Sequence, residues 1–415
     1  MPLPQELVDL IVDNLHEDTT SLLSCSLAAR PFVRPSQRHL FRYIEITPPT
    51  PDGEGPSPCE MLHRALITSP HLHSLVDGLR IVTMEYQTYS LAVADGEAGT
   101  VSWAMSEQSQ QMLQQILSVI NLQRIQIIEQ FSHHSHQGQI SFNWTTLDES
   151  LKSALTATFS STTLQFVHLR GLFIETPKQM LLPFSDATSL ISFSVARVFF
   201  TRPTNERPGW PNIRSERSWK PKLTSLLVSD MFGDPLCYLF SNPLMDLSDL
   251  TFLSVASDDE QWRTRILERV VQIRSPIEHL RVYHPDSLDP RSILTPTLRT
   301  LHLFSINMHH TILSTFQACA QRSDKLHLET IIFEGAVMPY PESPLLDDAI
   351  KSALEHLPCL NVVHLQAFRV GHLGAPHAPD WGDWVEMWTT SLHRLEERGL
   401  LRFAELKGAH MLSWE

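Results

Sequence analysis

The sequence predicts an α/β protein in two parts, a short all-helical unit followed by a long array in which helices alternate with short strands. Three observations predict it. Helical apolar spacing fills the first 46 residues. A segment rich in proline and glycine follows at 47–58. Beyond it one apolar pattern recurs down the chain, several times behind an amphipathic helix.

The helical unit reads as three short helices. Pro4 suits a first turn, and Glu6 sits near the positive end of the helix dipole. Leu7, Leu10, Ile11 and Leu15 then mark one face. Asp18, Thr19 and Thr20 offer N-caps for a second helix carrying Leu22, Leu23, Cys25, Ser26 and Leu27. Pro31 ends that helix at or before Arg30. A third segment holds Phe32, Val33, Leu40 and Phe41. So small a bundle buries little surface, which points to a partner over part of its apolar face. Residues 47–58, with five prolines, two glycines and no large apolar side chain, read as a linker.

The remaining region, 59–415, carries the pattern of Leu or Ile, two residues, an apolar residue, one residue and a second apolar residue. Eight clean copies start at Leu164, Leu190, Leu223, Leu250, Ile277, Leu298, Leu328 and Leu360, at steps of 21 to 33 residues. A ninth starts at Leu122 and a degenerate tenth at Val76. Helix starts precede several copies. Thr146–Glu149 leads into Leu147, Leu151, Leu155 and Phe159. Ser257–Glu260 leads into Trp262, Ile266 and Val270, and Ser343-Pro344 into Leu346, Ile350, Ala353 and Leu357. Near the end Asp380 caps a helix with Trp381, Trp384, Trp388, Leu392 and Leu395, stopping near Gly399. Helix then short strand at this period fits an irregular leucine-rich-repeat-like solenoid whose last helix caps its open end.

Composition excludes several functions. Thirty-two Lys and Arg against 46 Asp and Glu leave a net charge of −14, which argues against nucleic-acid backbones and anionic membranes as partners. No run of about 18 apolar residues predicts a membrane span, and Met1–Glu6 lacks the features of a secretory leader. Five scattered cysteines without C-x-x-C predict reduced thiols in the cytoplasm or nucleus. No phosphate-binding loop, serine-nucleophile or zinc motif is present, so neither a cofactor nor an enzymatic activity is expected. His133, His134 and His136 lack a completing cysteine or carboxylate and read as a solvated loop, as do His309 and His310. Asp258–Glu260 and Asp347-Asp348 read as helix starts, and the Trp381, Trp384 and Trp388 stripe as core.

Over residues 2–42 the chain resembles an F-box of the kind found in fungal proteins with irregular leucine-rich repeats. The resemblance rests on Leu3-Pro4-Gln5-Glu6-Leu7, Ile11, Leu15, Leu22-Leu23, Cys25-Ser26-Leu27, Arg30, Phe32 and Leu40-Phe41. The family often has Val-Cys where Ala28-Ala29 stand and tryptophan at Phe32, and here Pro31 follows Arg30 directly. The resemblance implies a non-catalytic substrate receptor of an SCF-type ubiquitin ligase. A Skp-type adaptor, and through it a cullin, would bind Leu3, Pro4, Leu7, Ile11, Leu15, Leu22, Leu27 and Phe32. The repeats would hold a protein target. The residue-level alternative is an interaction scaffold outside any ligase, with the helices as a solenoid cap. Strand alternation gives the target face. It exposes Phe166, His168 and Arg170, then His279, Arg281 and Tyr283, then Thr300, His302 and Phe304, then His364 and Gln366. Its histidines predict a pH response between about pH 6 and 7.5.

Overall fold

The computed structural model describes residues 3–49, 55–83, 103–129, 142–200, 220–229, 246–256, 275–283, 291, 293–305, 307–337, 344–368 and 379–406. The segments holding His133–His136, Cys237 and Asp258–Val270, and residues 50–54 of the 47–58 linker, lie outside them. The described chain is α/β, and its main strands are parallel. It divides into two compact units, one formed mostly by residues 1–222 and one mostly by residues 247–415 together with 223–230.

In the first unit, α1 (Gln5–Asp13) follows directly on Pro4. The Asp18 carboxylate caps α2 (Thr19–Ala28) by accepting from the Ser21 amide. Ala29 is extended, and α3 (Arg30–Arg42) opens with Pro31 in its first turn. His39 reaches back to Asp13 at 2.7 Å and ties α3 to α1. Val8, Val12 and Leu22 form the small apolar centre of this head.

Helix α3 then runs straight into the sheet. Tyr43–Ile46 is a strand, β1, and pairs in parallel with β2 (Gly78–Val82). This moves the boundary expected at residue 46, because residues 43–46 already belong to the sheet. Pro48 is buried, and Ser57 caps α4 (Pro58–Thr68) by accepting from the Glu60 amide. The parallel order continues through β3 (Arg124–Ile128), β5 (Phe166–Arg170) and β7 (Ser192–Ala196). A small parallel ladder joins β4 (Phe142–Asn143), β6 (Leu172–Ile174) and β8 (Phe199–Phe200). Helices α5 (Glu107–Val119) and α6 (Glu149–Phe159) pack side by side, and the short α7 (Pro177–Leu181) follows β6. Leu147, Leu151, Leu155 and Phe159 are all buried. Phe159 stacks toward Phe184, which meets Phe193 edge-on.

In the second unit β9 (Ser225–Ser229), β10 (Phe252–Ala256), β11 (His279–Tyr283), β12 (Thr300–Phe304), β13 (Thr330–Ala336) and β14 (Val362–Phe368) pair in parallel, each with the next. Helices α8 (Met308–Ala320) and α9 (Pro344–Leu354) lie against each other. The Asp380-capped helix spans two pieces, α10 (Trp381–Ser391) and α11 (His393–Glu397), with Trp384, Trp388, Leu392 and Leu395 buried. It does not end the array. A further parallel strand, β15 (Leu401–Leu406), pairs with β14 after Gly399 turns the chain at a left-handed φ of 66°.

All ten sequence patterns are strands, and each strand begins two residues after the leading Leu, Ile or Val. One hydrogen-bond arrangement fixes this register. The carbonyl of the second pattern residue accepts two successive amides of the next copy. Asp77 takes Gln123 and Arg124, Gln123 takes Gln165 and Phe166, and Thr224 takes Thr251 and Phe252. Thr251, Glu278, Arg299 and Glu329 repeat it.

Candidate functional site

The outward side of the helical head carries apolar surface. Its helices satisfy their own amides, so each residue can turn either to the neighbouring helix or to solvent. On α1 the inner strip is Val8 and Val12. Leu7 and Ile11, one residue earlier in the helical turn, are 46% and 43% exposed, and Leu10 is more exposed still. On α2 Leu27 is 86% exposed and Leu23 about half. Leu3 and Pro4 are exposed, whereas Leu15 and Phe32 are half-buried. Leu22 departs from the expectation. It is 2% exposed and belongs to the centre of the head, because α2 packs it against α3. Exposed large aliphatics on so small a bundle make it a candidate contact surface.

The second candidate is a face of the strands. Ile127 and Leu169 line a cavity with Phe159 and Phe184, so these alternate residues face the helix layer. Phe333 likewise meets Phe316 of α8. Phe166, His168 and Arg170 therefore lie on the opposite face of the first unit's strands, and Arg281, Thr300 and His302 on that of the second unit's, all half-buried, and His279 is exposed.

Tyr283 and Phe304 correct the expected face. They share it by alternation, yet each is only 5% exposed. Their rings lie 5.0 Å apart, and Phe304 stacks on Phe368 at 6.0 Å. With Ala256, Ala336 and Leu406 they close an apolar cluster at the strand ends. Apolar side chains adjacent on one sheet face gain more by covering one another than by meeting water.

Above that cluster lies a buried charge. Glu334, 5% exposed, accepts from Arg281 Nη2 at 3.2 Å and pairs with His302 Nε2 at 2.8 Å through the same oxygen, Oε2. The Arg281 guanidinium also sits over the Tyr283 ring. Burial raises the Glu334 carboxyl, but the His302 hydrogen bond and the Arg281 charge outweigh it, so its pKa stays below the usual carboxylate value. Burial pushes the His302 pKa down. Arg281 is the permanent cation of this group.

In the first unit the corresponding face carries Arg80, Arg124 and Arg170. Arg124 lies over the rings of Tyr43 and Phe166, and Arg80 approaches Glu45 at 3.5 Å. Burial, with Arg170 and Arg80 adding to it, pushes the His168 pKa down to about 4. Burial also lowers His364, helped by Arg402. His168 therefore titrates below the window expected from sequence, and burial shifts His302 and His364 in the same direction. Glu129, buried at the end of β3, has its carboxyl pushed up to about 7 by burial, against the pull of Arg197 and Arg170.

Among the described residues no three His, Cys, Asp or Glu side chains gather into a metal-binding group, and no helix is long and apolar enough to cross a membrane. The Cys59 and Cys319 thiols are buried and pushed up to about 12 by burial, far from the thiolate range a nucleophile needs. Asp347 sits in the first turn of α9, where Arg394 Nε donates to it at 2.6 Å. His309 is half-buried and His310 exposed at the start of α8. Neither protein-family models nor curated proteins give a match to this sequence.

Proposed function

We propose that the chain is the substrate-recognition subunit of an SCF-type ubiquitin ligase, working in the cytoplasm or nucleus. In this reading Leu7, Leu10, Ile11, Leu23 and Leu27 seat the F-box-like head on a Skp-type adaptor, which joins it to a cullin. The parallel strands and their helices form a leucine-rich-repeat-like solenoid whose second face holds a target protein. The chain contributes no catalytic group. Transfer is accelerated because target and charged conjugating enzyme are held together, which makes the reaction effectively intramolecular.

The supporting observation is the exposed aliphatic surface of α1 and α2, on which Leu10 and Leu27 are mostly exposed. The test is capture of purified Skp-type adaptor by the intact chain and by L7A/I11A. Wild type should bind and the variant should not. Equal binding by the folded variant, or none by wild type, rejects the ligase reading.

One observation favours the alternative, a scaffold capped by its N-terminal helices. Helix α3 continues into β1 without a spacer, and it packs against the 3-10 turn Pro70–Leu75. Such a cap would still fold normally and would ignore the adaptor, so the same capture experiment separates the two.

A further inference from the structure

Helix α3 gathers cations that the chain itself leaves unmatched. Arg30, Arg34, Arg38 and Arg42 stand at every fourth position, and α3 holds no Asp or Glu. Residues four apart share one side of a helix, so the four form a stripe that drifts by about 40° at each step. All four are exposed, whereas Ser36, on the far side of the helix, is fully buried. Arg42 has partners: its Nε donates to Asp77 at 3.2 Å, and its guanidinium lies over the Tyr43 ring. Arg30, Arg34 and Arg38 make no hydrogen bond, ion pair or ring contact among the described residues.

Fold stability does not account for these three. Like charges at i and i+4 on a helix repel. A cation in the first turn opposes the helix dipole, and Arg30 is the first residue of α3. Several other cations of the chain sit beside carboxylates. Arg64 pairs with Glu60 at 3.0 Å, Lys152 with Glu149 at 2.6 Å and Arg322 with Asp324 at 2.9 Å. In the head, Asp9 is met by Gln5 and Asp13 by His39. A row of unmatched guanidinium groups is thus a local exception in a chain of net charge −14.

The stripe also sets the size of what it can hold. From Arg30 to Arg38 it covers about 12 Å of helix axis. A nucleic-acid duplex or an anionic membrane presents a far wider charged surface, which the chain's surplus of carboxylates would meet as well. A short acidic segment of a protein meets the stripe alone, because salt screens charges more than about 8 Å away. The repeats match too. Successive arginines are about 6 Å apart along the axis, and an extended chain presents a side chain on one side every 6.7 Å or about that. Carboxylates at alternate residues of such a segment reach the three guanidinium groups in turn.

We propose that the outer face of α3 docks an extended Asp- or Glu-rich segment of a partner protein, with Arg30, Arg34 and Arg38 as its anchors. This surface is additional to the aliphatic one of α1 and α2 and does not depend on the ligase reading. Its carboxylates accept charge-assisted bonds, in the forked pairing that arginine favours over lysine.

The experiment uses the intact chain and fluorescein-labelled decaglutamate, read by fluorescence anisotropy. Decaglutamate should bind, decaserine should not, and affinity should fall steeply as salt rises. R30Q/R34Q/R38Q should weaken binding at least tenfold. R64Q/K152Q/R322Q changes the net charge equally at cations that already have partners, and it should bind as wild type does. Glutamine is close to arginine in helix propensity, so α3 should persist, and circular dichroism checks it. Should the triple variant fail to fold, R34Q/R38Q carries the same expectation at threefold or more. Equal affinity for decaserine, equal weakening in the two triple variants, or full affinity in R30Q/R34Q/R38Q overturns the proposal. So does binding of decathymidylate or of phosphatidylserine vesicles without binding of decaglutamate. A salt-reversible dimer in sedimentation, lost in R30Q/R34Q/R38Q while wild type ignores the peptide, gives the stripe to a second copy and overturns it as well.

Discussion

Helix α1 offers a sharp test of which residues hold the head together and which face outward. Val8 and Val12 are buried, and Leu7 and Ile11 beside them are nearly half exposed. V8A/V12A removes two methyl-sized groups at each site. At about 0.8 kcal/mol per buried methylene this costs roughly 3 kcal/mol in all, before any cavity penalty. A head whose described apolar centre is Val8, Val12 and Leu22 has little to offset that loss. L7A/I11A removes larger side chains from exposed positions. Its effect on stability should stay within about 0.5 kcal/mol per site. Its effect on adaptor binding should be the larger one. Truncating an interface anchor costs about 2 kcal/mol, which is roughly thirtyfold in affinity per residue. Helical circular dichroism during heating gives the stabilities, and biolayer interferometry on immobilised Skp-type adaptor gives the affinities. The reasoning fails if L7A/I11A melts the head while V8A/V12A leaves it intact. Unchanged adaptor affinity in a folded L7A/I11A refutes the docking surface itself.

Three further outcomes follow from buried groups. E334Q leaves Arg281 beside a neutral amide; because that guanidinium is partly exposed, the cost is about 2 kcal/mol rather than the full penalty of breaking a buried pair, and the urea midpoint should drop with unchanged slope. E129Q tests a raised pKa: the folded state holds a proton up to about pH 7 that the unfolded chain releases near 4.5, so Glu129 costs stability increasingly as pH rises through that window, by roughly 3 kcal/mol in full. E129Q should therefore melt higher than wild type at pH 8 and alike at pH 4.5, and no gain at pH 8 refutes the assignment. His168 works in the opposite sense, losing stability as pH falls from about 6.5 toward 4, and wild type and E129Q share it, so it cancels in the comparison. G171A meets both a left-handed φ of 72° and the Glu129 side chain, which a Cβ would strike. Its cost should be about 2 kcal/mol or more by chemical denaturation.

The repeated strands were legible because a short parallel strand buried on one face needs a leading aliphatic and two inward apolar residues at fixed spacing. Strands β1 and β15, two of the five described strands that the pattern misses, show the limit of that rule. At β1 the leading position is Phe41, an aromatic where the pattern asks for Leu or Ile, and it lies inside the last turns of α3. At β15 the position is Gly399, where a left-handed turn takes the place of a side chain. The candidate sites were legible only by face. Leu22 and Leu27 are the same residue type on one helix, and which one is buried depends on how α3 crosses it. Tyr283 and Phe304 follow the strand alternation, and the cluster that buries them includes residues from four other strands. Glu334 drew no attention in a strand that reads as apolar, because only the ladder brings it to Arg281 and His302.

The doubly accepting carbonyls at the head of each strand carry a different implication, about length. Thr224, Thr251 and Glu278 occupy the same place in successive copies, and each hands the next copy an identical pair of amides. Cutting the gene between two such carbonyls and rejoining it would remove one whole copy and leave every remaining donor with an acceptor. Duplication at the same points would insert one as quietly. The array can thus change its number of copies without new backbone chemistry.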